Sequence, residues 1–157
     1  MQKITPCLWF DGQAEEAMNF YVSIFKNSKA GQILRWGKEA PDKQGSVLLV
    51  TFELDGQTFQ ALNGGPEFQF TEAISLSIDC KDQQEVDHFW NKLTADGGKE
   101  VQCSWLKDKF GVSWQVVPEA LPRLLNDPDK DKAARVMQAM MQMIKIDVAK
   151  LEEAARG

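Results

Sequence analysis

Histidine is nearly missing from this chain of 157 residues: His88 stands alone, so no two-histidine metal site can be built within one copy. Cysteine is scarce as well. Cys7, Cys80 and Cys103 are odd in number and share no C-x-x-C spacing. That pattern argues against a disulfide framework or a zinc ribbon and fits a reducing cytosol. Positive charge is in deficit, with 18 Lys and Arg against 23 Asp and Glu and a net charge of −5. That balance argues against a nucleic-acid backbone or an anionic membrane as the main partner. No apolar run approaches the ~20 residues that span a bilayer. No basic segment followed by an apolar stretch opens the chain, so the expectation is a cytoplasmic protein. Nor does any G-x-G pattern occur: Asp11-Gly12 runs into Gln13-Ala14-Glu15, and no phosphate-binding loop is present.

What is there reads as one α+β domain. The 43% hydrophobic and 26% charged fractions are ordinary for a globular chain. Ile4–Phe10 is rich in β-favouring residues and predicts a strand ending at Asp11-Gly12. Asp11 then caps a helix through about Phe25, with Ala14, Ala17, Met18, Tyr21 and Phe25 as its apolar stripe. Strands are expected at 30–36, 47–54 and 57–63, the last two joined by a two-residue turn at Asp55-Gly56. A second series follows. Ala73–Asp79 predicts a strand, and Asp82 caps a helix with Glu85 in the reciprocal position. Val86, Phe89, Trp90 and Leu93 line one face of that helix, which ends at Gly97-Gly98. Strands near 100–107 and 112–117 complete the series.

The two series form a repeat. Glu16–Tyr21 aligns with Glu85–Trp90, Trp36 with Trp105, and Gly56–Gln60 with Gly111–Gln115. The first copy carries a longer excursion around 37–46. Each half is thus β-α-β-β-β: module one about 3–66, module two about 70–118, then a helical tail about 119–157. In the tail, Asp129 is expected to cap a helix through about Met143, with Val136, Met137, Met140, Met141 and Ile144 apolar. Asp147 caps another, with Ile146 stapled to Leu151. So much methionine must be buried against its own sheet or a second subunit, which makes a homodimer the expected assembly.

These residues carry a resemblance. Ile4–Phe10, Phe20-Tyr21, Leu62–Phe68, Phe110–Gln115, Val136–Met140 and Lys145–Asp147 are similar to the PhnB-like, or demethylubiquinone methyltransferase-like, branch of the vicinal oxygen chelate superfamily. That superfamily holds the glyoxalases, bleomycin-resistance proteins and extradiol dioxygenases. The resemblance implies curled mixed sheets forming a cup for a small molecule, often bound on a metal. Its ligand positions fall on Thr5, Gln60, Ala73 and Gln115, of which Thr5 and Ala73 are poor ligands and the glutamines offer only neutral oxygens. The expectation is therefore no catalytic metal and no other cofactor.

Strand alternation places Thr58 and Gln60 on one face opposite Phe59, and Ser113 and Gln115 opposite Trp114. If Phe59 and Trp114 pack under the helices, both amides face the cup, joined by Thr5, Cys7, Trp9, Ser75 and Ser77. The amides then bond a polar ligand, or they bond each other, backbone or water. Cys7 has no neighbouring base to activate it. Three readings stand: a metal-free small-molecule-binding protein, an enzyme of this fold acting on a small carbonyl or aromatic compound, and a dimerising interaction module. No catalytic residue is assigned.

Overall fold

The structure, a computed structural model, describes residues 2–157 and divides into two compact units between Phe70 and Thr71. In the first, β1 (Cys7–Phe10) leads through α1 (Ala14–Ile24) to β2 (Lys29–Arg35), β3 (Val47–Leu54) and β4 (Gln57–Asn63). The sheet is open and mixed, in the order β1-β4-β3-β2, with β1 parallel to β4 and the other pairs antiparallel. Asp55 and Gly56 both take positive φ (50° and 79°), the two-residue turn whose twist suits the β3–β4 hairpin. One face of this sheet is sealed by α1. Ala14, Ala17, Met18 and Tyr21 are buried with Val50, Phe52, Phe59 and Ala61. Tyr21, Phe52 and Phe59 stack in sequence at 6.3 and 5.8 Å. Each such side chain contributes about 1.5–3 kcal/mol on burial.

The second unit repeats the order: β5 (Leu76–Cys80), α2 (Gln83–Thr94), β6 (Lys99–Glu100), β7 (Trp105–Lys107) and β8 (Ser113–Pro118). Its open sheet runs β5-β8-β7-β6, again with one parallel pair. Val86, Trp90 and Leu93 of α2 are buried with Leu106, Trp114 and Val116. The cap forms as expected, Asp82 Oδ1 accepting from the Glu85 N–H at 3.0 Å, but Glu85 reaches back to the Lys81 N–H rather than to Asp82.

Three helices follow: α3 (Ala120–Leu125), α4 (Lys130–Met141) and α5 (Val148–Arg156). Asp129 and Asp147 cap the last two. Ile146 and Leu151 are fully buried in a cluster with Ala120, Leu121, Leu124, Val136 and Ala155. Met140 and Met143 pack on that cluster, so part of the methionine is covered within the unit, while Met137, Met141 and Ile144 stay exposed.

Several expectations shift. Asp11 does not cap α1; the Ala14 N–H is taken by Asn63 Oδ1 at 2.9 Å, a partner from β4 that local sequence does not reveal. β1 begins at Cys7 and β5 at Leu76, leaving Thr5 and Ser75 just outside the strands. The stretch 100–107 is broken in two, with Cys103 and Ser104 both at positive φ (58° and 65°). Trp36 and Trp105 are not equivalent: Trp36 follows β2, whereas Trp105 opens β7, the counterpart of β3. Helix α3 is an addition, and its Pro122 is tolerated because first-turn N–H groups lack helical partners anyway.

Candidate functional site

Helices α1 and α2 each cover one face of their sheet, and the opposite faces carry the sequence-predicted residues. In the first unit Gln60 lies between Cys7 on β1 and Thr51 on β3, with Trp9 beside Leu62. Because Phe59 and Ala61 turn inward beneath α1, alternation sends Gln60 and the half-buried Thr58 to the other side. The Gln60 side chain is half-buried and makes no hydrogen bond among the described residues. Trp9 is fixed at both ends of its ring. Its Nε1 donates to Gly65 O at 2.9 Å, and its ring meets Phe68 edge-on at 4.9 Å. Gly64 is required there, since a Cβ would fall 2.4 Å from the indole. Thr5 is half-buried ahead of the strand, and Cys7 is exposed.

In the second unit Gln115 holds the matching place, between Ser77 on β5 and Trp105 on β7. Its Nε2 donates to Ser75 Oγ at 3.0 Å. Ser77 is exposed and Ser75 half-buried. Ser113, two residues from Gln115, is 2% exposed, and its hydroxyl has no hydrogen-bond partner among the described residues. Buried hydroxyls are normally paired, so this one is an orphan on the face that the glutamine occupies. Lys107 on the same face is paired with Glu72.

Two features escaped sequence reasoning. Trp105 is half-buried directly across from Gln115, a position visible only once the break before it sets its register. The excursion after β2 also folds into a tight loop, Trp36 N–H donating to Ser46 O and Gly45 N–H to Trp36 O. With Asp11, Glu15 and Asn63 it lines a cleft of about 330 Å³, in which the Lys43 ammonium sits 5.4 Å from the Trp36 ring centre.

A metal does not fit these residues. Thr5 and Ala73 offer no useful ligand, the Gln115 amide is turned to Ser75, and no three His, Cys, Asp or Glu side chains converge among the described residues. His88 is exposed on α2. Two thiols are held away from the reactive thiolate: desolvation by the surrounding chain pushes Cys7 up although the residue is exposed, and burial together with Glu85, Asp79 and Asp82 pushes Cys80 up to about 12.

A family model described as 3-demethylubiquinone-9 3-methyltransferase matches residues 2–117. The chain belongs to this family. Among solved structures it is similar to the PhnB protein of Bacillus cereus, at 40% identity over 74% of this chain and 99% of that one, with a TM-score of 0.67. A Pseudomonas aeruginosa protein is 20% identical over 76% of this chain and 98% of its own, with a TM-score of 0.63. A glyoxalase/bleomycin resistance protein of Albidiferax ferrireducens is 12% identical over 73% and 96%, with a TM-score of 0.50. These two speak for the fold alone, which is that of the glyoxalase/bleomycin resistance proteins. No curated protein matches the chain. The family match stops at residue 117, so α3, α4 and α5 lie beyond it. The family's description names methyl transfer, yet the turn after β1 is Asp11-Gly12-Gln13 without a G-x-G. The sheets are also mixed rather than doubly wound parallel, so neither provides the glycine-rich cofactor turn of that fold.

Proposed function

We propose that this family member binds a small, flat, partly polar organic molecule through uncharged hydrogen-bonding groups, without a metal centre. The observation that carries the reading is the matched pair Gln60 and Gln115. Each sits mid-strand and half-buried on the face of its sheet opposite α1 or α2, and each offers a neutral amide there. The orphan Ser113 hydroxyl supports it, because an unpaired buried donor costs about 1–3 kcal/mol unless something bonds it. Thr5, Trp9 and Thr58 supply further polar and aromatic contacts on the Gln60 face, and Ser75 and Ser77 do so on the Gln115 face. A small-molecule screen by thermal shift tests this. Hits are expected to stabilise the native protein and to lose most of that stabilisation in Gln60→Ala or in Gln115→Ala, according to the face they occupy. Hits that stabilise both variants as well as the native protein would refute the assignment of these faces.

The homodimer belongs to the same reading. Met137 and Met141 on α4, with Ile144 just after it, are 41%, 55% and 51% exposed, an apolar stripe that a second copy would cover. A soluble cytoplasmic setting suits the acidic chain, none of whose described helices is long and apolar enough to cross a membrane.

A further inference from the structure

The geometry points to Trp105 as the aromatic wall of the Gln115 site, held in place by the C-terminal tail, so that the preferred ligand stacks a planar ring on this indole. This rests on the reading of the Gln115 face given above and adds to it a ligand class and the element that sets the selectivity. Trp105 and Gln115 are direct cross-strand neighbours, and such pairs are within reach of one another on a shared face. A half-buried indole beside a side-chain amide offers a ring surface and a hydrogen-bonding edge together, the combination a flat, polar-substituted ring needs.

The indole is where it is because the chain breaks at Cys103 and Ser104. Two successive non-glycine residues in the left-handed region are disfavoured and persist only when the surroundings impose them. Here the surroundings are the tail. The Cys103 N–H donates to Met143 O at 2.9 Å and the Ser104 N–H to Ile144 O at 2.7 Å. The Val116 N–H of β8 then donates to Ser104 O. The tail is itself clasped by α2: Gln83 Nε2 donates to Ile146 O at 3.0 Å, its Oε1 accepts from the Val148 N–H at 2.7 Å, and Asp87 pairs with Lys145 at 2.8 Å. Val117, on the Gln115 face two residues along, packs against the tail's core, so the tail also borders that face.

Fluorine NMR of the full chain labelled with 5-fluorotryptophan tests the arrangement, the Trp105 signal being identified by its loss in Trp105→Phe. Gln83→Ala with Asp87→Ala, which loosens the clasp without touching Trp105, is expected to shift or split that signal and leave the other four tryptophans in place. Adding Cys103→Gly, which relieves one left-handed residue, is expected to restore it. A Trp105 signal unmoved by the double variant overturns the tail's role. Benzamide and cyclohexanecarboxamide, which share an amide and differ in the ring, are then titrated. Benzamide is expected to move the Trp105 signal and to weaken about tenfold in Trp105→Ala, the saturated analogue far less. Equal responses to the two overturn the stacking role. If Trp105 responds as expected while Gln115→Ala leaves both affinities unchanged, the earlier reading of Gln115 fails and the aromatic wall stands.

Discussion

Cys80 shows how far one residue's chemistry is set by its surroundings. It is 2% exposed, and burial plus three nearby carboxylates hold the thiol neutral to about 12. In the unfolded chain the same thiol ionises near 9.0. The stability it contributes is therefore fully present below pH 9 and is lost as the pH rises towards 12. Alkylation with iodoacetamide at pH 8 should modify the exposed Cys7 in the native protein and reach Cys80 only after unfolding, as read by mass spectrometry. Rapid native modification of Cys80 would contradict this. At the same scale, the strand faces on which Gln60 and Gln115 lie were legible, because alternation needs only the identity of their buried neighbours, Phe59 and Trp114. Asn63 and Trp105 were not. The first acts on the start of a helix 49 residues earlier in the chain, and the second takes its position from a tail that local pattern does not connect to it.

Among the elements, hairpins and capped helices were the readable ones. The bounds 47–54 and 57–63 coincide with β3 and β4 because Asp55-Gly56 dictates the turn between them. Strand ends were harder, as at 100–107, where hydrogen bonds from 143–144 outweigh the apolar pattern. The turn from β7 to β8 is set by a buried carboxylate. Asp108, 3% exposed, accepts from the Phe110 and Val112 N–H groups through Oδ1 and from Trp114 Nε1 through Oδ2 at 2.9 Å. Asp108→Asn keeps the shape but turns an N–H₂ towards the Trp114 N–H. It should cost about 1–3 kcal/mol in denaturant unfolding, and an unchanged midpoint would show that the carboxylate does not organise the turn.

At the scale of the whole molecule, the β-α-β-β-β repeat was legible because each copy needs the same helix to seal one face of the same sheet. The tail's contribution was only half visible: its caps and staple were, but not its use as a clasp on α2 and on the 103–104 break. The proposed homodimer rests on what the tail leaves uncovered. Met141→Glu with Ile144→Glu should shift the protein towards monomers in sedimentation velocity without lowering its helix content, whereas an intact dimer would place the interface elsewhere. The proposed binding faces work through neutral amides and hydroxyls, not through a coordinated cation. Metal analysis of protein purified without chelator reads this most directly. Transition metal far below one atom per chain is expected, and near-stoichiometric zinc, nickel, manganese or iron would contradict metal-free binding.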